Sequence, residues 1–131
     1  MLPEWERGTP AVLVAAGPHA IPVSTAVRRG DDRIVFALGR RRAMLEHLRE
    51  DPSAALCVLA RGAAFTAYGR VTVIRDELEA APVTALELRV DRVQDHLADG
   101  RTDMLDGARY AWTDAAAEEV EPRIAAELGA I

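Results

Sequence analysis

Three consecutive arginines, Arg40 to Arg42, lie between Gly39 and a segment whose apolar residues have helical spacing. Guanidinium groups at a helix start add fixed positive charge to backbone N–H donors that have no partner within the helix. Phosphate and carboxylate groups bind favourably in such a setting. The sequence therefore predicts an anion-binding turn, and the alternative is a solvated basic turn whose arginines pair with Glu46 or Glu50.

The chain has few histidines and cysteines that could bind a metal or contact a ligand. The chain has three histidines, at positions without the spacing of zinc ligands, and one cysteine, so neither a metal site nor an internal disulfide is predicted. His19 begins a predicted strand that faces the arginine turn, and it is the histidine predicted to contact a ligand. His47 is predicted at the surface, and His96 near a local turn. Cys57 lies in an apolar strand and is predicted to be buried.

No catalytic residue is assigned from the sequence. Ser24 and Ser53 lack a nucleophile-elbow motif, and the acidic stretch Glu118–Glu121 is typical of a solvated helix start. Every basic residue is arginine, and the absence of lysine excludes a Schiff-base lysine and a phosphate-binding P-loop. Tyr110 and Trp112 form an aromatic pair, predicted to lie either in the core or at a subunit interface.

The composition predicts one domain over residues 1–131, of which 50% are hydrophobic. A net charge of −5, with 16 basic against 21 acidic residues, argues against a nucleic-acid binder, which needs a concentrated basic face. No apolar stretch approaches the roughly 18 residues of a membrane span, and the N-terminal residues lack the positive segment of a signal peptide. We therefore expect a cytoplasmic protein without membrane contact.

Short apolar stretches between glycine, proline and aspartate predict most of the strands. The second strand is expected to form a hairpin with the third across Arg29–Asp32, and the last to have one solvated face. Gly69 is predicted at a bulge or a close backbone approach. The predicted strands span residues 11–16, 20–28, 34–38, 54–60, 64–75 and 83–93.

Two helices complete the predicted fold. Met44, Leu45 and Leu48 predict a short helix over 42–49. Val120, Ile124 and Leu128 predict a C-terminal helix, in which Pro122 is tolerated if a new helical turn begins there. Antiparallel strands with one inserted and one terminal helix predict a mainly β (α+β) fold, a small Greek-key-like barrel.

Several segments occur in a characteristic order: Pro18–Ser24, Ile34–Leu38, the arginine turn, Leu48–Pro52 and Thr66–Val71. This order, over about residues 10 to 95, resembles that of the pyridoxamine 5'-phosphate oxidase-like family of flavin-binding split barrels. The closing segment Tyr110–Asp114 is similar to that of short actinobacterial members. The resemblance implies an antiparallel Greek-key split β-barrel that forms a homodimer and binds FMN in a cleft between the subunits.

The resemblance also implies which residues contact FMN. Arg41 and Arg42 are implied to hold the phosphate, although family members commonly carry Arg-Lys or Lys at the positions of Ala43 and Met44. The isoalloxazine ring is implied to lie along two strands, whose backbone groups reach its polar edge. The residues implied on these strands are His19, Ile21, Pro22, Val23, Ser24, Phe36, Ala37 and Leu38.

The implied activity is an FMN-dependent oxidoreductase acting on an unspecified small-molecule substrate. Nothing after Trp112 corresponds to the C-terminal Arg-x-His of true pyridoxamine phosphate oxidases, so turnover of pyridoxamine phosphate is not expected. One alternative is an F420-dependent reductase, which a basic groove from Arg40–Arg42 toward Arg28 and Arg29 would favour. Another is a flavin-binding dimer without turnover.

Overall fold

In the computed structural model, which describes all 131 residues, seven strands form one antiparallel sheet. The strands are β1 Ala11–Ala15, β2 His19–Val23, β3 Val27–Arg28, β4 Arg33–Gly39, β5 Ser53–Ala60, β6 Ala63–Arg75 and β7 Val83–Asp95. Helix α1, Ala43–Glu50, lies between β4 and β5, and helix α2, Ala115–Ala130, follows the sheet. The strand order across the sheet is β2-β1-β5-β6-β7-β4-β3. The predicted mainly β fold with an inserted helix and a C-terminal helix is confirmed as an antiparallel half-barrel.

The two edge strands of the sheet are consecutive in the chain, because residues 24–26 join β2 directly to β3. The sheet therefore curls until its edges meet at this corner. Thr25 links the edges there: its hydroxyl donates to the carbonyl oxygen of Ala37 at 3.1 Å and accepts from the N–H of Ala37 at 2.9 Å. One side chain thus satisfies backbone groups of β4 that lack a strand partner at this point.

The corner corrects the prediction of one strand over 20–28. β2 pairs with β1, where Ile21 lies opposite Leu13, and only Val27 and Arg28 of the predicted hairpin pair with β4. The predicted alternation ends at Ala26, whose side chain is buried in the core. The physical reason is that the chain turns at residues 24–26 and changes its pairing partner.

The main core fills the inner face of the sheet. Phe36 and Phe65 are fully buried, and the ring of Trp5 packs on Phe65 with centroids 5.5 Å apart. Helix α1 adds the predicted side chains Met44, Leu45 and Leu48 to this core, each of which is buried. Burial of such side chains stabilises a fold by roughly 1.5–3 kcal/mol each. This packing fixes α1, and with it the arginine turn, against β1 and β2.

Helix α2 covers part of the outer face of the sheet. A second, smaller apolar cluster lies beneath it, formed by Val35, Ala37, Leu78, Ala85 and Leu128. The prediction of one solvated face for β7 is therefore wrong at this end of the strand. Ala85 and Glu87 lie on that face and are 0% and 9% exposed, because α2 and the chain before β7 exclude water from it.

Helix α2 is continuous across Pro122, so the prediction that a new helical turn begins there is wrong. Proline has no N–H, and the helix lacks the hydrogen bond that position 122 would otherwise donate to the carbonyl oxygen of Glu118. The halves on either side are packed differently: Ala125 and Leu128 are buried, whereas no residue from 115 to 121 is. Neither helix combines the length and apolarity that a membrane span requires.

The close backbone approach predicted at Gly69 is confirmed. The pairing of β6 with β7 shifts register between Tyr68 and Gly69. A Cβ atom at Gly69 would overlap the carbonyl oxygen of Arg89, so only glycine fits at this irregularity.

Candidate functional site

The arginine turn joins the end of β4 to the start of α1. The N–H of Arg42 donates to the carbonyl oxygen of Gly39 at 3.0 Å, which closes the turn. Arg42 is also the N-cap residue, in an extended conformation with φ −67° and ψ 133°, and its side chain makes no capping hydrogen bond. A guanidinium group has no acceptor, so it leaves the N–H donors of the first helical turn without a side-chain partner.

The three arginines border an open cleft of about 740 Å³, which we call the arginine cleft; it is lined by Gly39, Arg40, Arg41, Arg42 and Pro82. All three arginine side chains are exposed. Arg40 forms an ion pair with Glu77, at 3.3 Å. Arg41 and Arg42 form none, so their charges are available to a ligand.

The alternative interpretation of the turn required pairing with Glu46 or Glu50. Glu46 instead pairs with Arg49, at 3.5 Å, and Glu50 forms no ion pair. The predicted pairing within the turn is therefore wrong. The spacing explains the outcome, because positions 46 and 49 are three residues apart on one face of α1.

The structure places His19 against α1. Its ring stacks on that of His47, with centroids 3.4 Å apart and 10° between the ring planes. His47 was predicted at the surface and is half-buried in this stack. His96 hydrogen-bonds to Thr66 of the neighbouring strand, at 2.9 Å, rather than to a residue of its own turn. His19 remains a predicted ligand contact, next to the helix that the arginine turn begins.

The predicted ring contacts on β2 lie on an edge strand. Ile21 and Val23 face inward, Pro22 is exposed, and Ser24 follows at the corner. Because β2 pairs only with β1, backbone groups along its other side have no strand partner. This free edge can offer hydrogen bonds to a ligand.

The predicted ring contacts on β4 are less accessible. The side chains of Phe36 and Leu38 belong to the main core, and that of Ala37 to the cluster under α2. The backbone N–H and carbonyl of Ala37 both bind Thr25. Thr25 was not among the predicted site residues, because the predicted strand over 20–28 ran through it and gave no sign of the corner at residues 24–26.

A second depression, which we call the apolar groove, adjoins the arginine cleft at Pro82. Its volume is about 400 Å³, and its lining residues are Ser24, Thr25, Ala80, Ala81, Pro82, Trp112, Ala116, Ala117, Val120, Glu121 and Ile124. Trp112 is 40% exposed and meets the ring of Tyr110 edge-on at 5.6 Å. Neither ring lies in the core, so the prediction that this pair is part of the core is wrong. The predicted place at a subunit interface stays a prediction.

Glu127 of α2 holds the segment that carries Pro82. Its carboxylate accepts from the N–H of Glu79 at 3.0 Å, the N–H of Ala80 at 2.9 Å and the guanidinium of Arg75 at 2.8 Å. Burial raises the pKa of Glu127, but the hydrogen bonds from Ala80, Glu79 and Arg75 outweigh it and hold the pKa below its usual value. The wall between the cleft and the groove is thereby fixed to α2.

Arg28 and Arg29 do not extend the arginine cleft. Arg28 donates to the carbonyl oxygen of Leu2 and to Asp31, and Arg29 donates to the carbonyl oxygens at the end of α2. They precede the start of β4, whereas the arginine turn follows its end. Seven extended residues separate the two places by roughly 20 Å. The basic groove that would favour F420 is absent.

The outer side of β1 and β5 is exposed and apolar. Val12 and Leu59 are 43% and 47% exposed, and Cys57 lies opposite Val12 in the β1–β5 pairing. Cys57 is partly exposed, so the prediction that it is buried is wrong; the side chains of β5 alternate, and position 57 faces outward. We call Val12, Cys57 and Leu59 the outer apolar face.

Comparison with protein families gives one match that spans most of the chain. A family model described as pyridoxamine 5'-phosphate oxidase matches residues 5–122. None of the curated proteins matches the sequence.

Comparison with solved structures gives the same fold at low sequence identity. An F420 reductase has a TM-score of 0.60 and 13% identity, covering 71% of this chain and 98% of its own. A heme binding protein from Mycobacterium smegmatis has a TM-score of 0.58 and 21% identity, covering 77% and 54%. A FAD-binding protein from Mesorhizobium loti has a TM-score of 0.54 and 14% identity, covering 65% and 81%.

Proposed function

The chain belongs to the pyridoxamine 5'-phosphate oxidase family, and from that premise we propose that it binds FMN, with the phosphate at Arg41 and Arg42. The observation that carries the proposal is a pair of exposed arginines without ion pairs beside an uncapped helix start. The three arginines of the turn and the carboxylate of Glu77 have a net charge of +2. This charge matches that of a phosphate monoester, which carries about two negative charges. Charge-assisted hydrogen bonds from guanidinium groups suit such a ligand.

The residues of the chain supply binding and orientation. Arg41 and Arg42 hold the phosphate, and the free edge of β2 offers backbone groups to the polar edge of the ring. Flavins, when bound, supply hydride or electron transfer, so the proposed activity is that of an FMN-dependent oxidoreductase. The FAD-binding relative from Mesorhizobium loti supports a flavin in this fold.

We propose that the partner is a second copy of the chain, packed on the outer apolar face. Val12 and Leu59 are exposed on the same side of the sheet as Cys57, and contiguous exposed apolar surface is a feature of protein interaction sites. Light scattering at micromolar concentration should give the mass of a dimer, and Val12→Glu with Leu59→Glu should give a monomer. Thr102→Glu with Thr113→Glu, at exposed positions between β7 and α2, is the matched control. A monomeric unaltered chain would overturn this part of the proposal.

The experiment that tests the cofactor is reconstitution. Purified protein is incubated separately with FMN, F420 and haem, desalted, and examined by absorbance. Retained peaks near about 375 and 450 nm after FMN would support the proposal. Retention of F420 or haem without FMN would overturn it, and it would assign to this chain a ligand like that of the F420 reductase or the heme binding protein.

The activity is tested on the FMN-loaded protein. Under anaerobic conditions with NADH or NADPH, loss of the absorbance near about 450 nm supports an oxidoreductase. A spectrum that stays oxidised with both donors supports the non-catalytic flavin-binding dimer instead.

A further inference from the structure

The apolar groove is separate from the residues proposed to hold the phosphate. It lies between the corner at Ser24 and Thr25 on one side and the first half of α2 on the other. Its volume, about 400 Å³, is within the range of roughly 300–1,000 Å³ that is usual for small-molecule pockets. Trp112 stands at its border with its ring partly exposed. A wall of this kind suits a flat ring, because aromatic rings stack and meet edge-on favourably.

The groove offers no positive charge to a ligand. The nearby N-terminus of α2 is capped by Asp114, whose carboxylate accepts from the N–H of Ala116 at 2.9 Å and of Ala117 at 3.3 Å. Those donors are therefore unavailable to an anion. Glu121 is the one charged residue that lines the groove, and it forms no ion pair. An anionic ring compound would meet this carboxylate without a counter-charge, which is unfavourable in a partly desolvated site.

We propose that the apolar groove binds uncharged aromatic molecules that carry a hydrogen-bond donor, such as phenols. The ring lies against Trp112 and the apolar side chains of α2, and the donor hydrogen-bonds to Glu121. Pro82 borders both depressions, and Ser24, an implied ring contact, lines the groove, so a phenol bound there lies beside the proposed cofactor site. That placement beside a cofactor rests on the proposed function, whereas the binding itself does not.

The test uses two ring compounds of similar size that differ in charge, 2-naphthol and 2-naphthoate. Each is titrated calorimetrically into the full chain, with and without FMN. The expected result is saturable binding of 2-naphthol, at least about ten-fold tighter than that of 2-naphthoate. Glu121→Gln should reduce this difference to within about three-fold, because the amide no longer repels a carboxylate and accepts a weaker hydrogen bond.

A second pair of variants locates the site. Val120→Asp places a charge in the groove and should weaken 2-naphthol binding at least about ten-fold. Ala126→Asp, on the exposed side of α2, is the matched control and should leave it unchanged. Circular dichroism of both variants checks that α2 is intact.

The outcomes separate this inference from the proposed function. Binding of 2-naphthol without FMN supports the groove even where FMN itself is not retained. FMN retention together with no binding of 2-naphthol overturns the inference and leaves the proposed function standing. Equal affinity for 2-naphthoate, or 2-naphthol binding that survives Val120→Asp, also overturns it.

Discussion

The two helices begin in opposite ways. At the start of α2, Asp114 accepts from two backbone N–H groups, and Glu118 adds negative charge in the first turn. At the start of α1, the N-cap residue is Arg42, its side chain makes no capping hydrogen bond, and two further arginines precede it. Both ends present the same backbone donors and the same partial positive charge of the helix. The start of α2 is capped within the chain, whereas the start of α1 has no side-chain partner and is the end proposed to meet a ligand.

The difference in packing explains how α1 tolerates an uncapped start. Three of its eight residues are buried in the main core, so packing holds the helix in place without a cap. The first half of α2 has no buried residue and depends more on its cap. An open helix end is therefore compatible with stability where the helix is anchored elsewhere.

The largest expected effect is a loss of FMN affinity when the arginines at the start of α1 are replaced. Arg41→Ala combined with Arg42→Ala should weaken FMN binding by about 2–4 kcal/mol, because charge-assisted contacts to the phosphate are lost. Quenching of FMN fluorescence measures the affinity. Arg61→Ala with Arg109→Ala removes two exposed arginines elsewhere and should leave it unchanged. If the variant with both Arg41→Ala and Arg42→Ala bound FMN as tightly as the unaltered chain, the alternative of a solvated basic turn would be supported instead.

A single substitution at the N-cap residue Arg42 should give α1 a side-chain cap like that of Asp114 in α2. Arg42→Asp supplies a capping carboxylate and reverses one charge, so FMN affinity should fall by about 1.5–3 kcal/mol. The free energy of unfolding without FMN should rise at the same time, because the new cap satisfies N–H donors. Urea denaturation and FMN titration measure the two quantities. If both fell together, α1 would not behave as an uncapped helix.

The reverse change removes the cap of α2. Asp114→Ala should lower the free energy of unfolding by about 1 kcal/mol and leave FMN affinity unchanged. Asp114→Asn retains an acceptor and is the matched control. Chemical denaturation compares the three proteins, and a loss of FMN affinity in Asp114→Ala would show that the two helix ends are not independent.

The smallest expected effect is a pH-dependent change in stability caused by Glu127, which lies near the C-terminal end of α2. Hydrogen bonds hold the pKa of Glu127 below its usual 4.5, so its stabilising contribution is present above that pH and is lost as the pH falls through the lowered value. Glu127→Gln should therefore be less stable than the unaltered chain near neutral pH. The difference should shrink in strongly acidic solution. Thermal unfolding at several pH values measures it, and a constant difference would contradict the assigned cause.

The sequence predicted those features that depend on local pattern. The buried stripe of α1, the close approach at Gly69 and the arginine turn follow from residues near one another in the chain. Alternation placed Ile21 and Val23 on one face correctly, but it failed beyond the corner, where Ala26 joins the main core and Val27 the cluster under α2. It carried no information about the pairing partner, so the change of partner at residues 24–26 was missed. The covering of β7 by α2 joins residues far apart in sequence, so Glu87 was expected in solvent.

In the candidate site, too, one part could be predicted from local sequence and the other could not. The residues of the arginine cleft are contiguous except for Pro82, and a search for basic residues before a helix finds them. The apolar groove combines Thr25, Pro82, Trp112 and α2, which only the folded chain brings together. Its lining includes four alanines and Pro82, residues that a search for reactive groups passes over.

The free edge of β2 also bears on self-association. Unpaired backbone groups along an edge strand are a template on which another chain can add a strand and begin aggregation. Pro22, near the middle of this edge, cannot donate a hydrogen bond, so it leaves a gap in any continuous ladder with a foreign strand. The edge can thus stay open to a small ligand while it resists growth into a larger sheet.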